Sequence, residues 1–356
     1  MNQEMTMRSC IEEQPVVMQR IFENRSENLK DLLSYYKEIC PDHLYIIACG
    51  SSYNASCAAA VFMEKALDID VTVHVPSQIP TIRAKRPLIL AVSQGGESTN
   101  TIAAVKALKN YPLVAVTGKK ECTVNTLCDR HFDFGCGIET VGPKTKGYTA
   151  TILSFSLFAL EAGYASGSLS KEDYDRYTAM FAAVPANLQE NITRTDAFVE
   201  KYLDVFCAAE KIAFTGKGVG GQLAKECALK VMETLLIPSI QYEFEEYLHG
   251  PICAIDDRMI GFYMLPNDAD ASRMYSAAKA HETLCPNSFI LTGDAQISGE
   301  KVLQLVCSGD DATVPFEYVL ASQIISDIVP IKHDIVNKGM KQFRLFDDLV
   351  KIKAKR

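Results

Sequence analysis

The sequence predicts an α/β fold: two tandem domains, each a parallel sheet covered by helices. One unit occurs twice, at residues 44–67 (LYIIACGSSYNASCAAAVFMEKAL) and 212–235 (IAFTGKGVGGQLAKECALKVMETL). Each copy runs from a β-branched apolar stretch through glycines and small residues into an amphipathic helix. The match continues, with LILAVSQGGESTNTIAAVKAL (88–108) against MIGFYMLPNDADASRMYSAAKA (259–280), and LVAVTG (113–118) against FILTGD (289–294). A repeat of this length is a duplicated domain, because solenoid repeats are far shorter. Strand–loop–helix units in series imply parallel sheets between helices. Two medium domains also suit 356 residues, of which 48% are hydrophobic and 22% charged, an ordinary balance for a sizeable core.

The elements follow in order. Residues 1–40 read as helical, with Ser26 or Asn28 as the cap before LKDLLSYYKEI. The first sheet domain is expected over 41–165, with strands at 44–49, 71–75, 88–92, 112–117 and 131–135. Residues 147–162 (GYTATILSFSLFALEA) are too apolar for a surface helix, so they are expected to pack between domains or subunits. A helical linker is expected over 166–208, where Ser170 and Asp173 resemble a capping box. The second sheet domain is expected over 209–332, and 333–356 form a C-terminal tail that contributes to the active site.

Composition narrows the function. A net charge of −8 and the lack of a basic stripe argue against a nucleic-acid partner. The basic run 351–356 is short and reads as a solvated end. The 12 cysteines include no C-x-x-C pair and no metal spacing. With no signal peptide, they read as reduced thiols in a cytoplasmic protein. No apolar stretch reads as a membrane span. No metal or organic cofactor is implied.

Parallel sheets bind ligands at the carboxyl ends of their strands, so the loops there carry the chemistry. Cys49-Gly50-Ser51-Ser52 lets the chain turn sharply and aims hydroxyls and N–H groups at a helix N-terminus, which favours anions. Those serines could equally only cap the helix. Ser93-Gln94-Gly95-Gly96-Glu97-Ser98-Thr99 has the same placement and is richer in donors. The hydroxyls of Ser93, Ser98 and Thr99 and the Gln94 amide can converge on one oxygen-rich group such as a phosphate monoester. It is not a P-loop, which needs G-x-x-x-x-G-K-[ST]. Gly216-Lys217-Gly218-Val219-Gly220-Gly221 satisfies G-x-G-x-x-G, and Glu243 follows about 20 residues on, as a ribose-binding acid would. This nicotinamide reading is weakened because the first copy has serines where this one has glycines. Glu226, Lys230 and Glu233 share one helix face, which is more often a solvated charged surface. His249, beside Gly250-Pro251 and three residues after Glu246, could move protons on a sugar.

At these residues a family resemblance enters. ACGSSYNA (48–55) and SQGGEST (93–99) resemble the sugar-phosphate loops of sugar isomerase (SIS) domains. With ALKVMET (228–234), LHGP (248–251) and IEEQP (11–15), nearly the whole chain is similar to the isomerase half of glucosamine-6-phosphate synthase. The resemblance implies two flavodoxin-like SIS domains and an active site at a homodimer interface. It implies that Cys49, Gly50, Ser51, Ser52, Ser93, Gln94, Gly95 and Ser98 contact the sugar phosphate. It implies that Glu233 shuttles a proton between C1 and C2, that Lys230 stands one turn before it, and that His249 opens the ring. A C-terminal lysine forms an imine with the ketose in that family; Lys341 in GMKQF is the best match, and Lys338 the alternative. Departures are the glutaminase half, for which these residues have no counterpart, Gly95 in place of a serine, and Lys144 in GPKTK (142–146), which could meet a carboxylate or phosphate.

The expected function is enolisation of a ketose or aminated hexose 6-phosphate, as an aldose–ketose isomerase, a fructosamine-6-phosphate deglycase or a related deaminase. A phosphosugar sensor without catalysis is the second class, and an NAD-dependent oxidoreductase the third.

Overall fold

The computed structural model describes residues 5–355. Residues 1–4 and Arg356, the outer ends of the helical segment and of the basic tail, lie outside the described residues. Helices α1 (Met7–Glu23), α2 (Arg25–Asn28) and α3 (Lys30–Ile39) lead into β1 (His43–Ile47), α4 (Ser51–Leu67), β2 (Asp70–His74) and β3 (Pro87–Val92). Then come α5 (Thr99–Ala107), β4 (Leu113–Thr117), β5 (Arg130–Asp133), α6 (Lys146–Ser166), α7 (Lys171–Lys201) and α8 (Leu203–Cys207). The second half has β6 (Lys211–Gly216), α9 (Val219–Leu235), β7 (Ser239–Glu243), α10 (Phe244–Leu248), β8 (Met259–Met264) and α11 (Ala271–Leu284). It ends in β9 (Ser288–Thr292), β10 (Val302–Gln304), α12 (Val314–Tyr318), α13 (Leu320–Lys332) and α14 (Gly339–Val350).

Each half holds one five-stranded sheet, ordered β2-β1-β3-β4-β5 in the first and β7-β6-β8-β9-β10 in the second. All strand pairs are parallel. The orders are the same position for position, as a duplicated domain requires. The chain divides into two compact units. One comprises Val16–Thr140, Lys146–Ala182 and Met340–Arg356, and the other Met1–Pro15, Val141–Thr145 and Ala183–Gly339.

Strands β3, β4, β8 and β9 are buried along their whole length, which is why their sequences are continuous apolar runs. The turns into α4 and α9 are made alike: Gly50 has φ +58° and Gly218 φ +57°, a region that favours glycine.

Three expectations are corrected. Neither Ser26 nor Asn28 caps the 30–39 helix; Leu29 holds that position, with no side-chain cap, because α2 runs almost directly into α3. The apolar α6 is covered inside its own unit, mainly by α4 and α3, so its composition needs no second subunit. The helical run Val314–Lys332 does meet the length and hydropathy of a membrane span, but 89% of it is buried, with α13 packed on α9. The Ser170 box forms: Asp173 N donates to Ser170 Oγ at 3.0 Å, and that hydroxyl donates to Asp173 Oδ2 at 2.8 Å.

Candidate active site

In the first sheet the order in which successive strands are added reverses between the neighbouring, parallel strands β1 and β3. The loops 48–52 and 93–99 leave the carboxyl ends of these two strands, the point where open α/β sheets take ligands. Ser93 is 4% exposed and donates to Ser98 Oγ at 3.3 Å. Ser98 is the residue before the first turn of α5, yet its side chain makes no cap hydrogen bond. Its hydroxyl is turned instead toward Ser93 and toward the tail.

The tail is expected to contribute to the site, but through Lys341 or Lys338; Lys353 is the residue that sequence reading missed. After α14, Lys351 takes a left-handed conformation (φ 54°) and the chain doubles back along the loop. Ser98 and Lys353 form an antiparallel bridge; Thr99 N donates to Ile352 O at 3.0 Å and Ala354 N to Glu97 O at 2.8 Å. Lys353 Nζ then donates to Ser98 Oγ at 2.9 Å. Burial pulls the Lys353 ammonium below its ordinary pKa, opposed by the charges of Asp347, Cys49 and Glu97. Among the described residues, 351–355 are therefore not merely a solvated end. Lys341 and Lys338, favoured from sequence, are both exposed. The alternation of Lys351, Ile352 and Lys353 was the available signal, since alternate residues of an extended segment face opposite ways.

The remaining predicted contacts distribute unevenly. Burial raises the Cys49 thiol pKa, while the Asn100 hydrogen bond and the Lys353 charge act the other way. Ser51 and Ser52 are half-buried in the first turn of α4. A side chain at Gly95 would meet nothing within 4 Å. Thr99 does not join the donor set, because its hydroxyl donates to Lys351 O at 2.6 Å. Lys144 Nζ donates to Val141 O at 2.6 Å, within its own loop.

In the other unit, α9 carries Glu226, Lys230 and Glu233, and the solvated-face reading fails. Glu226 and Lys230 are fully buried, while the Glu233 side chain is 35% exposed. Lys230 Nζ lies 3.4 Å from Glu226 Oε1 and hydrogen-bonds Glu233 Oε1. Burial would lower the Lys230 pKa, but the two carboxylates outweigh it and the net shift is upward. Lys230 is thus a fixed cation that anchors one accessible carboxylate. His249 is exposed at the end of α10, and its ring makes no hydrogen bond among the described residues. The carboxylate of Glu243, the ribose acid of the dinucleotide reading, caps α10 by accepting from Glu245 N at 2.8 Å and Glu246 N at 3.2 Å. Lys217 of the G-x-G-x-x-G turn pairs with Asp270.

One buried acid had no sequence signal. Glu317 accepts from Asn187 Nδ2 at 3.0 Å, and burial pushes its pKa from 4.5 up to about 7 against the bonds from Cys307 and Asn187. The folded state therefore holds this proton more tightly than the unfolded chain. Stability should fall as pH rises from about 4.5 to about 7, by roughly 3 kcal/mol, and then level off. Glu317→Gln should remove that slope. Denaturant unfolding of both proteins at pH 5 and pH 8 checks this, and parallel pH profiles would contradict it.

Residues 39–161 match the family described as SIS domain. The chain is similar to the glutamine--fructose-6-phosphate aminotransferase [isomerizing] of Gloeobacter violaceus, 30% identical over 224 residues, which are 61% of this chain and 37% of that protein. It is also similar to the protein of the same name from Idiomarina loihiensis, 24% identical over 336 residues, 90% of this chain and 55% of that protein. The chain thus matches between 37% and 55% of the length of these relatives. Among solved structures, it resembles the C-terminal domain of glucosamine-fructose-6-phosphate aminotransferase from Francisella tularensis. That TM-score is 0.83 at 22% identity, covering 93% of this chain and 96% of that one, a likeness of fold.

Proposed function

We propose that this SIS-domain protein is an enzyme of phosphorylated sugars that works by enolisation, on a ketose or aminated hexose 6-phosphate. The observation that carries this reading is Lys353, a partly buried amine of lowered pKa delivered onto the serine-rich loop at the β1/β3 switch point. A larger neutral fraction makes such an amine a better nucleophile toward a carbonyl. Lys353 attacks C2 of the open-chain ketose, and loss of water leaves an imine that holds the open chain. Water then hydrolyses it, freeing the lysine and restoring the C2 carbonyl that acidifies the proton on C1. Glu233 carries that proton between C1 and C2, and Lys230 holds it in place. His249 opens the ring. Aldose–ketose isomerisation and fructosamine 6-phosphate deglycation share this path.

The test screens hexose, hexosamine and fructosamine 6-phosphates in D2O by proton NMR, with borohydride trapping in parallel. Deuterium at C1 or C2 and a reduced adduct on the Lys353 peptide are expected. Exchange without an adduct would overturn the imine; no exchange with any of these substrates would leave a binding module without catalysis.

The phosphate itself is assigned to the hydroxyls of Ser93 and Ser98 and the N–H groups of their loop. Ser93→Ala with Ser98→Ala should weaken phosphosugar binding by a few kcal/mol, on the order of 1–2 per lost hydrogen bond. The unphosphorylated sugar should change little. Unaltered calorimetric affinity for the phosphosugar would sink the assignment.

A further inference from the structure

Resting on the phosphosugar reading above, we propose that Glu139 is a positioning residue that makes Gln94 a one-sided acceptor, so that Gln94 reads a hydroxyl of the sugar and not its phosphate. Glu139 lies 45 positions from Gln94 in sequence and is 8% exposed. Gln94 Nε2 donates to Glu139 Oε2 at 3.0 Å and to Cys136 Sγ at 3.7 Å. An amide nitrogen has two hydrogens, so both are spent inside the protein. The contact also settles which way the amide points. A carboxylate oxygen can only accept, so the nitrogen side must face it.

The arrangement is braced from behind. Gly147 N at the start of α6 donates to the same Glu139 Oε2 at 2.9 Å. A Cβ at Gly147 would stand 2.5 Å from Gln94 Nε2 and 2.8 Å from Glu139 Oε2, so only glycine leaves room for the pair. The group left for a ligand is Gln94 Oε1, which makes no hydrogen bond among the described residues. A carbonyl oxygen repels a phosphate oxygen and accepts from a hydroxyl. The donors for phosphate are then Ser93, Ser98 and the backbone of the loop. Gln94 supplies selectivity for the polyol instead.

The experiment is a double-variant cycle with fructose 6-phosphate as probe, and inorganic phosphate as the second ligand. Glu139→Met keeps side-chain length and removes the acceptor. It should weaken fructose 6-phosphate binding roughly tenfold, as for one lost hydrogen bond, and inorganic phosphate less than twofold. Gln94→Ala should do the same. In the Gln94→Ala background, Glu139→Met should have no further effect, which a merely structural role would not produce. Should Glu139→Met fail to fold, Gly147→Ala displaces the same pair without removing a polar group and should give the same selective loss. Equal losses for both ligands, or additive losses in the double variant, would overturn the proposal while leaving the phosphosugar reading intact. Failure of the unaltered protein to bind either probe would overturn that reading, and this one with it.

Discussion

Replacing Glu233 with Gln is expected to lower turnover by roughly 10²–10⁴, the usual worth of a general base, with phosphosugar affinity retained. The side chain is 35% exposed and pinned by the buried Lys230, so it can reach a ligand without wandering. Glutamine keeps the shape and can still accept a hydrogen bond from Lys230, but it removes the charge and with it the basicity. The loop proposed to hold the phosphate belongs to a different compact unit from Glu233. Steady-state kinetics with deuterium exchange in D2O would measure the effect. Glu226→Gln should lose far less turnover, since Glu226 is fully buried. Equal behaviour of the two variants would remove Glu233 from the chemistry and put the sensor reading first.

Lys230→Met should destabilise the protein by roughly 3–5 kcal/mol, because it takes the ammonium away from a carboxylate that has no access to water. Burying a charge is costly unless it is paired. The double variant Lys230→Met with Glu226→Leu should recover most of that loss, since an apolar replacement of a buried pair is often neutral. Chemical denaturation of the three proteins would show it. A loss below about 1 kcal/mol for the single variant would mean that the pair is solvated after all.

Local patterns were legible in the chain. The duplication, the strands and the glycine turns each depend on a few consecutive residues, and they occur where the periodicity put them. So did the spacing of Glu226, Lys230 and Glu233 on one face of a helix, because a helix of 3.6 residues per turn leaves no other arrangement. Whether that face met water was not legible. The same four-residue spacing serves a solvated surface and a sealed ion pair, and only the burial of Glu226 and Lys230 in the folded chain distinguishes them.

What the sequence by itself determined is the fold class, its two repeated sheets and the loops at the strand ends. What only the tertiary structure decided is which distant groups those loops meet. Lys353 reaches Ser98 across 255 positions, and Glu139 turns the Gln94 amide across 45. The end of the tail, 351–356, reads as solvated because a short basic run carries no periodic signal, and Lys341 is the best match in the sequence although its neighbours agree poorly with the family. Helix α6 was assigned to an interface because its apolarity is visible in sequence while its cover, α4, is not. The physical reason is common to all three. Periodicity reports the backbone's local geometry, whereas burial, pairing and a shifted lysine depend on chain segments brought together only on folding.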